Sequence, residues 1–342
     1  MRIMKFALHI FSRIIASAVA AAITAAIALI SLSGPYIEPP AEIPAPPPRL
    51  EELIPEGARK DKDALIRVLS EGETTTMPLE RYLIGAVAAE MPAMFELDAL
   101  KAQAVAARTL VLYRLLVEPN PNHPEAEVCT DPGCCIAFTD DWQLRENWDD
   151  DYVRNINRII GAVLDTDGIY VSYRGEPILP LFHSSSLGTT EASGNVWGSD
   201  LPYLVSVDSP ETTELVPDLI TSVTFTKTEF REMMENAIPG IVFGADEESW
   251  IEDVSYTENG RISHITVGGQ TINGTELRSA LGLRSTAAVY AWESGNIKLT
   301  VAGFGHGVGM SQYGANIMAT EKISYRMILT HYYTDVDLLS ER

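Results

Sequence analysis

Glu90 stands where a carboxyl group can be held protonated. It closes a stripe of Leu79, Leu83, Ala86 and Val87 that recurs at helical spacing, just before Met91 and Pro92. Desolvation against such a stripe disfavours the carboxylate, and a carboxyl kept neutral at neutral pH can protonate a leaving oxygen. A helix-terminal Glu that turns into water fits the same position.

His123, Cys129 and Cys135 follow one another at intervals of six residues within HPEAEVCTDPGCCIAF. Two thiolates and an imidazole suit zinc. The same segment also allows a disulfide from Cys129 to Cys134 or Cys135 with one thiol left over. If metal binds, Cys134 either closes the site as a fourth ligand or leaves that position to water.

Further on, FHSSSLGTTE sets His183 beside Ser184 and Ser185, small polar groups that can bond a hydroxyl-rich ligand from a loop. GHGVGMSQYG has glycines that let backbone approach a ligand closely, and it carries His306, Gln312 and Tyr313. No G-K-[ST] comes after it, which argues against a nucleotide phosphate site, and no G-x-S-x-G supports a serine nucleophile. Lys101, Gln103 and Arg108 either reach a ligand or support Glu90, or else form a solvated face and a buried tie.

These residues need elements to hold them. Periodicity predicts a helix from Leu79 that stops near Met91, because Pro92 restrains the residue before it. An Ala-rich helix comes next, from Asp98 to Leu116, with Lys101, Val105, Arg108 and Leu112 on one side. Upstream, Asp63 to Leu69 and Glu71 to Met77 read as a short strand or edge element and then a polar loop. Beyond Gly168, IYVSYRG, ITSVTFT, IEDVSY and ISHITVGG read as strands, with ENGR as the hairpin turn between the last two. Segregated helices and antiparallel strands predict an α+β domain of two lobes over residues 56–342, with a more variable lobe at about 211–300.

The net charge of −22, from 47 acidic and 25 basic residues, argues against a nucleic-acid partner, whose affinity rests on Lys and Arg neutralising phosphates. At the start, Arg2, Lys5 and Arg13 precede an uncharged apolar run from Ile14 to Leu32. Such a run matches the roughly 30 Å of a bilayer core, and the charge asymmetry places the remainder of the chain outside the cytoplasm. A cleaved signal peptide competes, although its apolar region is usually about 7–15 residues long. A single membrane helix within residues 1–33 is therefore expected, then a proline-rich spacer over 34–55, semi-rigid because repeated Pro favours extended backbone.

Three segments together resemble the stage II sporulation protein D family: LERYLIGAVAAEMPAMFELDALKAQAVAARTL, LFHSSSLGTTEASGNVWGSDLPYLVSVDSP and GFGHGVGMSQYGANIMA. Phe304, Leu187 and Leu110 stand where relatives more often carry Trp, Gly and an aromatic. The resemblance implies that Glu90 is the catalytic acid of a lytic transglycosylase acting on peptidoglycan glycan strands, with preference for strands stripped of peptide. It implies zinc on His123, Cys129 and Cys135, as in some members of the family, and a mainly structural role is expected because a transglycosylase needs no activated water. It places the segments of His183, Ser184, Ser185, His306, Gln312 and Tyr313 in the substrate cleft. It further implies assembly with stage II sporulation proteins M and P in the mother-cell membrane facing the forespore. A non-catalytic wall-binding or amidase-enhancing module is the alternative.

Overall fold

The computed structural model describes residues 47–340. The expected membrane span and all but the last residues of the spacer lie outside them. No helix among the described residues is long and apolar enough to cross a membrane. The compact unit starts at Pro48, earlier than the boundary expected at residue 56. A turn of helix over Leu50–Leu53 buries Leu50 in the main core, so this end of the spacer belongs to the domain.

Strands β1 (Leu65–Ser70) and β2 (Glu73–Pro78) form an antiparallel hairpin, in place of the strand and polar loop read from the sequence. The difference has a cause. Glu73 to Thr76 are all exposed, so β2 lacks the alternation that marks a strand with one buried face.

Helix α1 (Leu79–Glu90) stops where Pro92 requires, with Met91 extended at φ −127° and ψ 141°. Helix α2 (Leu97–Leu116) is buried almost all round; its alanines let α1 and later helices approach closely. Strand β3 (Val128–Cys129) runs parallel to β1. Helices α3 (Asp141–Trp148) and α4 (Tyr152–Leu164) come next, the latter packed on α1 and α2. Strands β4 (Ile169–Tyr173) and β5 (Glu176–Pro177) then join the chain's last described strand in a small sheet.

The chain continues through β6 (Phe182–His183), β7 (Ile220–Phe225), α5 (Lys227–Ala237), β8 (Ile251–Tyr256), β9 (Ile262–Val267) and β10 (Gln270–Asn273). Then come α6 (Gly274–Leu281), β11 (Ala288–Glu293), β12 (Asn296–Ala302), β13 (Met310–Ser311), α7 (Gln312–Thr320), α8 (Tyr325–Tyr332) and β14 (Asp337–Ser340). The predicted strands at 169, 220, 251 and 262 are present, and β8 and β9 pair antiparallel across the ENGR turn. The result is an α+β fold with several small sheets.

Apolar side chains gather in two large clusters. One surrounds α1, α2, α4, α7 and α8. The other draws on Phe225 to Val301 and fills the space between the β11–β12–β7 sheet, the β10–β9–β8 sheet, α5 and α6. The pair of greatest consequence is very short: β13 lies parallel to β6, with Met310 opposite Phe182 and Ser311 opposite His183. It brings the GHGVGMSQ and FHSSS segments side by side.

Candidate active site

Glu90 is the last residue of α1, where the helix dipole is negative and already disfavours a carboxylate. Burial pushes its carboxyl above the ordinary range, against two hydrogen bonds that pull the other way. The Ala137 N–H donates to Oε1 at 3.0 Å, and the Gln312 amide donates to Oε2 at 3.2 Å. Gly85 allows the first bond to form. A Cβ there would lie 2.3 Å from the Phe138 ring, so only Gly lets the 137–139 segment close on α1. Phe138 in turn stacks on Tyr82, with centroids 5.7 Å apart.

Glu90 opens into a cleft of about 570 Å³. Its walls include Leu110 and Arg114 of α2, Cys134 to Ile136, Leu179 to Ser184, Trp197, and Phe304 to His306, with Gln312 beside Glu90. Among the described residues lining it, Glu90 is the only carboxylate.

The two cleft histidines are oriented by the backbone of one residue, Val308. The Val308 carbonyl accepts from His183 Nδ1 at 3.2 Å, while the Val308 N–H donates to His306 Nδ1 at 3.0 Å. His183 therefore carries its proton on Nδ1, and Nε2, 2.7 Å from Ser186 Oγ, accepts from that hydroxyl. Arg261 Nη2 donates to the same Ser186 oxygen at 3.1 Å. Burial, with His306 and Arg261 nearby, holds His183 well below the usual imidazole range. Burial also lowers His306, to about 4, with Arg278 and Arg261 acting in the same direction. Both rings are neutral at neutral pH, whereas burial shifts Glu90 towards its protonated form.

The other predicted ligand-binding residues divide. Ser184 lines the cleft; its carbonyl accepts the Tyr313 N–H at 3.0 Å and so anchors the start of α7. Ser185 is buried and pairs its backbone with Phe304. The Tyr313 ring packs edge-on against Phe95 at 5.1 Å. The three residues of α2 are not brought to the cleft. Arg108 is fully buried, with its guanidinium on Asp61 at 2.9 Å and on the Ile169 carbonyl at 3.0 Å. It is the buried tie, because a guanidinium in the core requires a carboxylate partner. Lys101 pairs with Asp165 at 2.7 Å, and Gln103 is buried within the core.

Beside the cleft, His123, Cys129, Cys134 and Cys135 turn their ligand atoms to within 4.8 Å of one another, a group that can hold a metal ion. All three cysteines are free thiols, so the disulfide reading is not followed. Cys129 is fixed on β3, and the Asp131 carbonyl accepts the N–H groups of Cys134 and Cys135 in one tight turn. His123 Nδ1 bonds the Ala126 carbonyl at 3.0 Å, which turns Nε2 towards Cys135 Sγ at 3.3 Å. A Cys₃His set with the imidazole oriented by a carbonyl fits a closed tetrahedral zinc site.

Sequence reasoning missed several supporting residues. Glu211 accepts the Ser186 N–H at 2.9 Å and also a bond from the Ser311 hydroxyl, joining the two cleft segments beneath their surface. Buried Glu191 accepts from Asn195 at 2.7 Å, Thr257 at 2.7 Å and Asn259 at 2.9 Å, tying the cleft wall to the β8–β9 turn. Glu191 had a visible signal, lying in the TTEAS stretch that continues the FHSSS segment. Arg261 had none, since its contact with Ser186 spans 75 residues.

An acid at a helix end, a Gly-rich loop crossing it and a His/Cys knot alongside are held on a scaffold with close relatives. The chain belongs to the Stage II sporulation protein family, SpoIID, whose model matches residues 70–173. It is 36% identical over 270 residues to stage II sporulation protein D of Bacillus amyloliquefaciens, across 79% of this chain and 76% of the relative. Against stage II sporulation protein D of Bacillus subtilis (strain 168) it is 35% identical over 258 residues, 75% of this chain and 73% of the relative. It is also similar to a protein named amidase enhancer from Bacillus subtilis (strain 168), 26% identical over 317 residues, 75% of this chain and 40% of the relative.

Proposed function

We propose that the protein is a lytic transglycosylase that cuts peptidoglycan glycan strands between N-acetylmuramic acid and N-acetylglucosamine during sporulation. The observation that carries this reading is that Glu90 is the one carboxylate among the described residues lining the cleft, its carboxyl pushed up by burial. Hydrolysis by a pair of carboxyl groups needs a second one across the scissile bond. Intramolecular transfer does not. Glu90 gives its proton to the glycosidic oxygen as the C1–O bond breaks; the muramic C6 hydroxyl then attacks C1 and returns its proton to the Glu90 carboxylate. The product is a 1,6-anhydro sugar, and the acid is regenerated.

Zinc on His123, Cys129, Cys134 and Cys135 supplies rigidity in this scheme, since the reaction needs no activated water. The knot fixes the turn that leads to Ala137, and Ala137 holds one oxygen of Glu90. The N-terminal apolar run is proposed to anchor the domain outside the mother-cell membrane, facing the forespore. Partnership with stage II sporulation proteins M and P, and a substrate already stripped of peptide, come from the family as further parts of the proposal.

Similarity to a protein named amidase enhancer favours a second reading, a wall-binding module that promotes another enzyme's cutting. Mass spectrometry of peptide-free glycan strands incubated with wild type and Glu90→Gln separates the two. Anhydro-muramic products from wild type alone support the transglycosylase. Reducing-end products indicate hydrolysis, and binding without cleavage by both proteins indicates the module.

A further inference from the structure

Trp197 and Phe304 are 49% and 43% exposed, and both line the cleft that holds Glu90. Large aromatic surface left open inside a cleft marks a place where a ligand completes the burial. Both rings are held firmly. Trp197 ends the short helix Ser193–Trp197, which Gly198 terminates in a left-handed turn at φ +71°. Glu191 secures the start of that helix through the Ala192 N–H at 2.9 Å and the Asn195 amide at 2.7 Å. Phe304 exchanges backbone hydrogen bonds with Ser185 at 3.1 and 2.8 Å.

Each ring is also braced by a neighbour. Trp197 meets the His306 ring edge-on, with centroids 5.2 Å apart. The Arg284 guanidinium lies 4.6 Å from the Phe304 centroid and covers one of its faces. We propose that Trp197 and Phe304 form a sugar-stacking subsite in which a pyranose ring of the strand lies against exposed aromatic surface. This rests on the reading of the cleft as a glycan site.

The chemistry is complementary. A pyranose presents a face of C–H groups between equatorial hydroxyls, weakly positive, against the negative face of an aromatic ring. Its hydroxyls stay at the rim, within reach of polar groups such as Ser184. Rings already braced lose little conformational freedom on binding, so more of the contact appears as affinity.

The test uses the full chain carrying Glu90→Gln, so that strands bind without being cut, and peptide-free glycan strands as the probe in calorimetry. Trp197→Ala and Phe304→Ala in that background are each expected to weaken binding about three- to tenfold. Trp142→Ala, at a tryptophan 62% exposed but outside this cleft, leaves binding unchanged. Trp197→Phe keeps most of the affinity and abolishes the strand-induced change in tryptophan emission, which holds even if the alanine variants fold poorly. Unchanged affinity in folded Trp197→Ala and Phe304→Ala, or an emission change that survives Trp197→Phe, overturns the subsite. No binding by the Glu90→Gln parent overturns the glycan reading itself, and the subsite with it.

Discussion

The Ala137 N–H donates to Glu90 Oε1 at 3.0 Å from a position two residues beyond Cys135. The proposed acid and the His/Cys knot are therefore joined by one short stretch of backbone. Whatever holds Cys135 in place also aims the donor that orients the carboxyl.

That link gives the first expectation. Chelation, or Cys129→Ser, should lower the thermal midpoint and abolish strand cleavage together, because ligand loss frees the turn before Ala137. Cys134→Ser leaves three ligands and should weaken metal affinity by more than the roughly 10- to 100-fold that loss of a ligand's hydrogen-bond partner costs, read by competition with a chromophoric chelator. Unchanged affinity in Cys134→Ser would show that the fourth position belongs to water.

Glu90→Gln should cut the cleavage rate about 100- to 10,000-fold, the usual cost of removing a general acid. Stability should move the other way. The folded pKa of Glu90 lies above its unfolded value, so the residue costs nothing at low pH, where it is neutral in both states. The fold loses stability as pH rises from the unfolded pKa to the folded one. Glu90→Gln should then melt above wild type at pH 7, with the difference vanishing below about pH 4.

Arg108→Met strands the buried Asp61 carboxylate and should cost about 3–5 kcal/mol in urea unfolding. Adding Asp61→Leu should recover much of that loss, since the pair can be replaced by apolar volume. A small loss in Arg108→Met with selective loss of strand binding would instead return Arg108 to a ligand-contacting role.

Gly85→Ala would drive its Cβ into Phe138 and Thr139. The cost should be about 1–3 kcal/mol, as for other overpacked sites. Cleavage should fall further than stability does, because the same displacement carries the Ala137 N–H away from Glu90. Rates and midpoints of the one variant decide this.

Local signals were legible and distant ones were not. The α1 stripe, the stop before Pro92, the Ala-rich α2 and the turn between β8 and β9 are written in neighbouring residues. Strand β2 was hidden because Glu73 to Thr76 have no buried face to mark a period. Arg108 stayed open between a ligand contact and a buried tie because its partner, Asp61, lies 47 residues away. Residue type and spacing left Glu90 and the Cys/His segment each open to two readings, and the family resemblance favoured one of them. The turn at Asp131, invisible in the spacing, is what brings Cys134 alongside the other three side chains. The buried network of Ser186, Glu211, Arg261 and Ser311 left no mark, since each contact crosses a long loop.

Gln312 reaches Glu90 across 222 residues of chain, and β13 meets β6 near the end of the sequence. During synthesis, Glu90 emerges early while the loop that crosses it is still to be made. A chain made only as far as Ala137 holds the donor for one carboxyl oxygen and lacks the donor for the other. The second hydrogen bond to the carboxyl therefore waits until 222 further residues have been made.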